Sequence, residues 1–514
     1  MKPTKKPKKI MDHDATVFQA KIEDKKLRKT YIGTSLEENR QDIQELLKDS
    51  DDVVYRELEI GGVSMTLLYI ENMINQDLLN DQILEPLMRE KRFLEDVPIT
   101  TSMLIEKVLP AVGINKNNNF HELLIALLSG KSLLLIDTIP EALIIESRGA
   151  VERGVEEPST EQILRGSRES FVENIKNNIA LIRKRIYNPS LSVEYFLAGK
   201  KTETDIAIVY LKDMAQPKVV EEIRKKLKNI NEEKIITSSH VEQIIEEHKW
   251  SIFPQMLATE RPDKVVGSIL EGRIAIITNG TPFVLLVPVT IGMFFNAFDD
   301  YSERVIITSA LRIMRYISYL IATTLPALYM ALTAYHPGML PTSLVLYITG
   351  TRVGLPFPFL AEILFMEFTL EALLEASVRL PKPVGQTIGI VGGLVIGQAV
   401  VQAGLVSPIV VIIVALTAIT SFTLPNYTFS LSNRILRIYF IVASAIWGLY
   451  GIVVFWLILL IHLASIESFG IRYLSDFSPY RLDKLKDTLI KAPTDLINET
   501  PPTLETNGEN NEVN

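Results

Sequence analysis

The stretch PVGQTIGIVGGLVIGQAVVQAGLV, from Pro383 to Val406, carries four glycines at four-residue intervals: Gly385, Gly389, Gly393 and Gly397. Residues at this spacing lie on nearly the same face of an α-helix, so the glycines form a shallow groove along one side. In water, each glycine costs a helix about 1 kcal/mol. In lipid the chain stays helical, because unpaired backbone groups cost several kcal/mol there. The stretch is therefore typical of a membrane helix that another helix approaches closely.

Three long runs of the chain contain no Asp, Glu, Lys or Arg: 316–351, 383–433 and 438–466. The run 383–433 has 51 residues, which is enough for two membrane crossings of about 20 residues each. The first 280 residues are densely charged, and the net charge of the whole chain is −8. We therefore predict a soluble α/β N-terminal half followed by a polytopic α-helical membrane domain.

The predicted organisation has six parts: a basic disordered tail (1–34), a first soluble α/β subdomain (35–150), a linker (151–160), a second soluble α/β subdomain (161–295), a helical membrane domain (296–470) and a polar C-terminal tail (471–514), which we expect to be disordered. The predicted spans are 305–336, 384–406, 409–425 and 438–466, with 359–380 as a fifth in one of two interpretations.

The soluble half contains repeated hairpin signals. VVYRELEI and VSMTLLYI flank Gly61-Gly62, and SLLLID and EALIIE form a second pair of strands. A helix predicted over 161–185 precedes a third hairpin, VEYFL with DIAIVYL, and 273–288 forms a fourth. Both subdomains thus follow the plan helix, hairpin, helices, hairpin. This plan is either an internal duplication or the general form of small α/β domains.

The segment 359–380 carries an acidic stripe. Glu367, Glu371 and Glu375 recur every four residues, followed by Arg379. Like charges at this spacing repel each other on a helix. Two interpretations follow: the helix lies at the membrane surface with a wet face, or it faces a water-filled path in which copies of the glutamates attract cations. In the second case the three glutamates are candidate pore-lining residues.

Three other polar or helix-breaking residues are candidates for function. Gln398 and Gln402 lie on a different face from the glycines and either bond a neighbouring helix or line a path. Pro326 lies in the middle of the first span, where its missing N–H permits a kink. That kink is either a packing feature or a hinge for gating.

The basic residues give conflicting topologies. If 359–380 crosses, there are five spans; Arg379, Lys382, Arg434 and Arg437 then lie inside, and the basic residues of the tail lie outside. If 359–380 does not cross, there are four spans and these positions are reversed. The positive-inside rule cannot satisfy both sets of basic residues with either count.

The sequence also excludes several classes of protein. It contains no cysteine, which rules out disulfides, thiolate nucleophiles and cysteine metal sites. The six histidines are scattered, and neither G-x-S-x-G nor H-E-x-x-H occurs. We therefore expect no enzyme, no metal, no cofactor and no nucleic-acid partner. The basic start lacks the apolar region of a signal peptide, so we expect the N-terminal half to lie on the cytoplasmic side.

Three long stretches resemble the A subunit of bacterial spore germinant receptors: RGSRESFVENIKNNIALIRKRI (165–186), ERPDKVVGSILEGRIAIITNGTPFVLLVP (260–288) and GLPFPFLAEILFMEFTLEALLEASVRLPKPVGQTIGIVGGLVIGQAVVQAGLVSP (354–408). Together with the layout, the resemblance covers nearly the whole chain except its tails. Val353 departs from the family pattern, in which a glutamate commonly precedes the glycine of the PFP segment.

The resemblance implies a multi-pass protein of the spore inner membrane. It implies two partners, a transporter-like B subunit that senses the nutrient and a lipid-anchored C subunit. It also implies a homo-oligomer in membrane lipid that forms a germinant-gated cation path. The alternative is a scaffold that assembles the other subunits and carries no ions. A solute carrier is a third possibility, which the absence of repeated halves disfavours.

Overall fold

The computed structural model describes residues 30–89, 100–109, 113–149, 158, 161, 166–297, 299–379, 393, 395–477 and 488–491. Most of the predicted basic tail and of the 151–160 linker lies outside these residues. The chain divides into two compact units, 1–155 with 174–195 and 207–212, and 156–173 with 196–206 and 213–514.

The α/β half contains ten strands and nine α-helices among its described residues. The strands are β1 (Val53–Ile60), β2 (Val63–Ile70), β3 (Ile114–Asn117), β4 (Ser132–Ile136), β5 (Ala142–Ile145), β6 (Leu191–Ala198), β7 (Thr204–Leu211), β8 (Leu257–Thr259), β9 (Ile274–Thr278) and β10 (Val284–Val287). The helices are α1 (Leu36–Leu46), α2 (Gln76–Leu79), α3 (Glu85–Arg89), α4 (Thr101–Met103), α5 (Phe120–Leu128), α6 (Ile175–Arg183), α7 (Pro217–Lys228), α8 (Ser238–Ile245) and α9 (Pro262–Leu270). Short π-helical turns, Asn80–Leu84 and Leu104–Val108, follow α2 and α4.

The first sheet has the strand order β1-β2-β4-β5-β3, and β2, β4 and β5 pair antiparallel. Successive side chains of β4 belong to two different cores. Leu133 and Leu135 pack with α1 and α5, whereas Leu134 and Ile136 pack with the helical segments between 76 and 108. Side chains alternate between the two faces of a strand. Both faces of this sheet are therefore apolar, and helices cover both of them.

The second sheet has the order β6-β7-β9-β10-β8. Each strand number is that of the first sheet plus five, so the two sheets have the same strand order. In both, a helix precedes the first hairpin, helices follow it, and one helix separates the third strand from the last hairpin. The four predicted hairpins are present. This shared topology favours internal duplication over the general form of small α/β domains.

The helix predicted over 161–185 is wrong for residues 166–174, because α6 begins at Ile175. The side chain of Asn174 accepts hydrogen bonds from the backbone N–H groups of Lys176 (2.9 Å) and Asn177 (3.4 Å) at the start of α6. This is N-capping, which amphipathic spacing alone does not locate. Within the first unit, Arg183 of α6 pairs with buried Asp52 through Nε (2.7 Å) and Nη2 (2.6 Å).

The apolar half is helical. Its α-helices are α10 (Asp299–Ser302), α11 (Val305–Met330), α12 (Thr342–Arg352), α13 (Phe359–Arg379), α14 (Pro408–Ser421), α15 (Tyr427–Trp447) and α16 (Leu449–Ser465). A π-helical turn, Ala331–Tyr335, extends α11. In the glycine segment (383–406), the structure describes residues 393 and 395–406, of which 393 and 395–402 are also helical. Among the described residues, 305–335 and 427–447 are long and apolar enough to cross a membrane, and α14 and α16 are shorter apolar helices.

The single span predicted over 438–466 is wrong, because two helices occupy this run and the first begins at Tyr427. Gly448 separates α15 from α16 with φ 61° and ψ −137°, a conformation that favours glycine. At Gly451, an added Cβ would lie 2.1 Å from the carbonyl oxygen of Ala443. The two glycines therefore permit a tight helical hairpin inside an apolar run that has no polar break.

The first residues of the predicted polar tail are packed. Tyr473 is buried, and its ring lies 6.1 Å from that of Phe294 and 6.4 Å from that of Phe253. Lys491 is also buried, and its ammonium donates to the carbonyl oxygen of Asp300 (2.7 Å). For 471–477 and 488–491, the expectation of disorder is therefore wrong, because aromatic and backbone contacts hold them.

Candidate functional site

Two of the three candidate pore-lining glutamates on α13 are paired with arginines of α15. Glu367 is 4% exposed, and its Oε2 accepts a 2.7 Å hydrogen bond from Nη1 of Arg437. Glu371 is half-buried, and its Oε2 accepts a 3.3 Å hydrogen bond from Nη1 of Arg434. The arginines are three residues apart and share a face of α15. Both carboxylates are therefore neutralised within one copy of the chain.

The third glutamate of the stripe lies at the surface. Glu375 is exposed and pairs with Arg379 of its own helix, whose Nε lies 2.9 Å from Glu375 Oε1. Residues four apart on a helix are rotated by about 40° with each step. The stripe consequently turns from the α15 interface at Glu367 to the open face at Glu375.

A further ion pair at the start of α13 was not predicted. Arg352 lies 2.8 Å from the carboxylate of Glu362, which is fully buried. Glu362 also accepts a 3.3 Å hydrogen bond from the backbone N–H of Ser407, and the guanidinium of Arg352 lies 3.3 Å from the ring centre of Phe359. Glu362 is five residues before Glu367 and falls outside the four-residue spacing, so the stripe did not reveal it.

Four buried polar atoms of α13 and α15 have no hydrogen-bond partner among the described residues. They are Glu367 Oε1, Asn433 Nδ2, Arg434 Nε and Arg437 Nε. The side chains of Thr323 and Asn433 form a hydrogen bond beside them. Because buried polar groups are nearly always hydrogen-bonded, we expect ordered water at this interface.

The glycine groove is only partly within the described residues. Gly385 and Gly389 lie outside them. Gly393 is exposed, and no atom lies within 4 Å of an ideal Cβ there; at Gly397 the nearest is Val411 Cγ1, at 3.6 Å. Within one copy of the chain, the described part of the groove is therefore not filled by a closely approaching helix.

The two glutamines of the glycine segment are exposed. Gln398 and Gln402 lie one turn apart, with exposed Ala399 and Ala403 beside them. The exposed faces of the neighbouring helices differ from this surface. Their large exposed side chains include Ile412, Leu416 and Ile419 on α14 and Val453, Leu457 and Ile461 on α16. The exposed face of the glycine segment is therefore more polar than these two.

The candidate hinge Pro326 is buried inside α11. The next residue, Ala327, accepts a 2.7 Å hydrogen bond from Ser444 Oγ of α15 through its carbonyl oxygen. The π-helical turn from Ala331 to Tyr335 follows within two turns. Proline and π-helical turns are both frequent where helices bend, which keeps Pro326 a candidate hinge.

Comparison with known proteins gives the family of the chain. Residues 41–503 match the profile of the family described as Bacillus/Clostridium GerA spore germination protein. Spore germination protein KA of Bacillus subtilis (strain 168) is 40% identical over 471 residues, which cover 91% of this chain and 86% of that protein. Spore germination protein GerLA of Bacillus cereus is 36% identical over 474 residues, which cover 92% of this chain and 96% of that protein.

A solved structure is also similar to part of the chain. The crystal structure of the N-terminal domain of the A subunit of the Bacillus megaterium spore germinant receptor GerK3 is 34% identical in sequence. It covers 50% of this chain and 96% of its own, with a TM-score of 0.40. The family match and the two relatives confirm the resemblance found in the sequence: the chain belongs to the GerA family of spore germination proteins.

Proposed function

We propose that this chain is the A subunit of a spore germinant receptor and oligomerises in the spore inner membrane to form a germinant-gated cation path. In this proposal a transporter-like B subunit binds the nutrient, and a lipoprotein C subunit completes the receptor. Family membership and the names of the relatives support a role in germination. The contacts and exposed faces of the apolar helices support the more detailed parts of the proposal, namely membrane topology, oligomerisation and conduction.

Contacts at the helix ends support a topology with two sides. The loop 246–256 contacts the start of α15, where the rings of Phe429 and Phe253 are 6.1 Å apart, and the end of α16, where His462 lies 3.0 Å from Ser251 Oγ. The start of α11 lies with the tail, since the N–H of Lys491 donates to Ser309 Oγ (3.1 Å). The start of α11, the start of α15 and the end of α16 are thus on the side of the second unit's soluble part.

The opposite helix ends meet on a second side. Tyr335, after α11, bonds the carbonyl of Ala445 near the end of α15. The ring of Phe359, where α13 begins, lies 6.2 Å from that of Tyr329. From there α13 runs back towards Arg434, near the start of α15. We propose that α11, α13, the glycine segment, α14, α15 and α16 each cross the membrane. These six crossings return the chain after α16 to the side on which α11 begins.

Six crossings remove the conflict between the basic residues. Because α15 and α16 form a hairpin, the chain returns after α16 to the side on which α15 begins. The basic residues of the tail then lie on the same side as the end of α13 and the start of α15. Arg315, Arg379, Arg434 and Arg472 then all lie on the soluble side, as the positive-inside rule requires. Arg352 lies on the other side, where Glu362 neutralises it.

The observation that carries the conduction proposal is the exposed pair Gln398 and Gln402. A polar side chain on the lipid-facing surface of a membrane helix is unfavourable, and such residues usually face a partner helix or a water-filled cavity. A ring of copies that buried the open groove at Gly393 would bring these glutamines together. We propose that they line the path, with Glu375 at its end on the soluble side.

One observation favours the scaffold alternative. The pairs Glu367–Arg437 and Glu371–Arg434 neutralise two of the three glutamates that would attract cations. A receptor in which α13 serves only to hold α15 would show the same pairs. This alternative requires no current through the A subunit.

Ion flux through the reconstituted receptor complex tests the proposal. Gln402→Lys should reduce the germinant-dependent cation current, because a ring of like charges repels cations. The matched control is Ile412→Thr on the apolar face of α14, which should leave the current unchanged. A normal cation current and selectivity in Gln402→Lys, with the receptor assembled, would favour the scaffold.

A further inference from the structure

Trp250 lies at the tip of the loop 246–256 and is 99% exposed. The loop is held by Gln255, whose side chain accepts hydrogen bonds from the backbone N–H groups of Glu247 (3.2 Å) and His248 (2.9 Å). It also donates to the carbonyl of His248 (2.9 Å). A braced loop therefore presents a large amphipathic ring outward, beside exposed Lys249.

The loop that carries Trp250 contacts the ends of two apolar helices. Ser251 Oγ lies 3.0 Å from Nε2 of His462 in the last turn of α16. The next residue, Ile252, accepts a hydrogen bond from Ser432 in the second turn of α15 through its carbonyl oxygen. Trp250 thus lies one residue from a contact with the end of α16.

The apolar surface of α16 continues up to this level. Ile461 is exposed and precedes His462 directly, and Leu457 and Ile458 are exposed one turn earlier. A bilayer that covered these side chains would end near His462, because the chain becomes polar at Ser465 and Glu467. With a bilayer placed in this way, Trp250 would lie near the level where hydrocarbon gives way to headgroups, because the next residue, Ser251, contacts His462.

We propose that Trp250 inserts into the headgroup region of the bilayer and holds the second unit's soluble part against the membrane surface. This inference rests on the proposed membrane placement of α15 and α16. Tryptophan is enriched at membrane interfaces because its ring is apolar and its N–H can donate to headgroups or water. Lys249 beside it can pair with anionic phosphate groups, so the occupant of this surface is a lipid headgroup layer.

The test uses the fluorescence of the residue itself. The chain has three tryptophans, Trp250, Trp447 and Trp456. The variant Trp447→Phe/Trp456→Phe leaves Trp250 alone, and its matched control, Trp250→Phe/Trp447→Phe, leaves Trp456 near the middle of α16. Both full-length chains are reconstituted in vesicles of phosphatidylcholine and phosphatidylglycerol, with bromine atoms placed either near the headgroup or near the end of the acyl chain.

The proposal predicts that shallow bromines quench Trp250 more than deep ones do, and that its emission is shifted to shorter wavelength than that of tryptophan in water. Trp456 should show the opposite depth preference. Emission of Trp250 as in water, with quenching by acrylamide and not by bromines, would overturn the proposal. Shifted emission without quenching by either would also overturn it, since a protein surface would then cover the ring.

The control separates this inference from the proposed function. If bromines quench Trp456 and not Trp250, the helices span the bilayer and only the anchor is wrong. If bromines quench neither tryptophan, α16 is outside the bilayer, and both the anchor and the proposed membrane function are overturned.

Discussion

The two polar helical segments of the apolar half, α13 and the glycine segment, differ in where they direct their polar groups. The acidic stripe of α13 turns inward, and Glu367 and Glu371 are paired with arginines of α15. The glycine segment exposes Gln398 and Gln402. The segment with formal charge thus satisfies that charge inside one chain, whereas the uncharged segment leaves its polar surface open.

This difference teaches that charge alone is a poor guide to a path through a membrane. An unpaired carboxylate in an apolar environment is very unfavourable, so a glutamate with an arginine within reach is expected to pair with it. A glutamine can remain on an open face at lower cost until another copy covers it. The open surface is therefore the better candidate for assembly and conduction.

The largest effect should come from breaking the buried pair of α13. Arg437→Met leaves Glu367 buried without its partner, which should destabilise the chain by about 3–5 kcal/mol. Arg379→Met, which leaves exposed Glu375 unpaired, should cost less than about 1 kcal/mol. Denaturant unfolding of the full chain in micelles measures both.

A second variant controls for lost packing. Glu367→Met/Arg437→Met removes both charges and should recover most of the stability lost in Arg437→Met. Equal stability losses in Arg437→Met and Arg379→Met would show that Glu367 is not neutralised by α15, and the contrast between the two segments would fail.

Substitutions at two glycines distinguish contacts within one chain from contacts between copies of the chain. Gly451→Leu should destabilise the α15–α16 hairpin by about 3 kcal/mol, because the added side chain would overlap the backbone of Ala443. Gly393→Leu should change the stability of a single chain by less than about 0.5 kcal/mol, because its side is open.

Crosslinking of the Gly393→Leu variant then tests assembly of the chain into an oligomer. Gly393→Leu should reduce the yield of oligomer, because a leucine would block close approach of another copy's helix. A full oligomer with Gly393→Leu would contradict the assignment of this surface to contacts between copies.

The smallest effect should come from the half-buried pair. Glu371→Gln removes a charge that lies 3.3 Å from Arg434 and should cost about 1 kcal/mol or less. It should leave the cation selectivity of the receptor unchanged. A change in cation selectivity as large as that caused by Gln402→Lys would indicate that the acidic stripe lines the path.

Much of the fold follows from local patterns, and the exceptions have physical causes. Short apolar strands and turns that contain glycine or proline predict all four hairpins, because both signals are local in the chain. Spacing predicts that Glu367 and Glu371 share a face of α13, but which helix packs on that face depends on Arg434 and Arg437, more than sixty residues later. The sequence pattern therefore does not predict which distant segments pair with each other.

The helical hairpin at Gly448 was missed for a different reason. The run 438–466 is uniformly apolar, and a glycine within such a run is common in membrane helices. Its positive φ and the close contact of Gly451 with Ala443 become visible only when both helices are in place. In the proposed topology, this one turn changes the number of crossings and places the basic residues on one side.

The central claim is that the exposed face of the glycine segment, and not the paired Glu367 and Glu371 of α13, lines the proposed path. The absence of native cysteines permits the most direct measurement, modification of Gln402→Cys and Glu371→Cys receptors by a charged thiol reagent during germinant-dependent ion flux. The account predicts that modification at position 402 blocks the current and that position 371 is unreactive or silent. Block at position 371 with none at position 402 would contradict it.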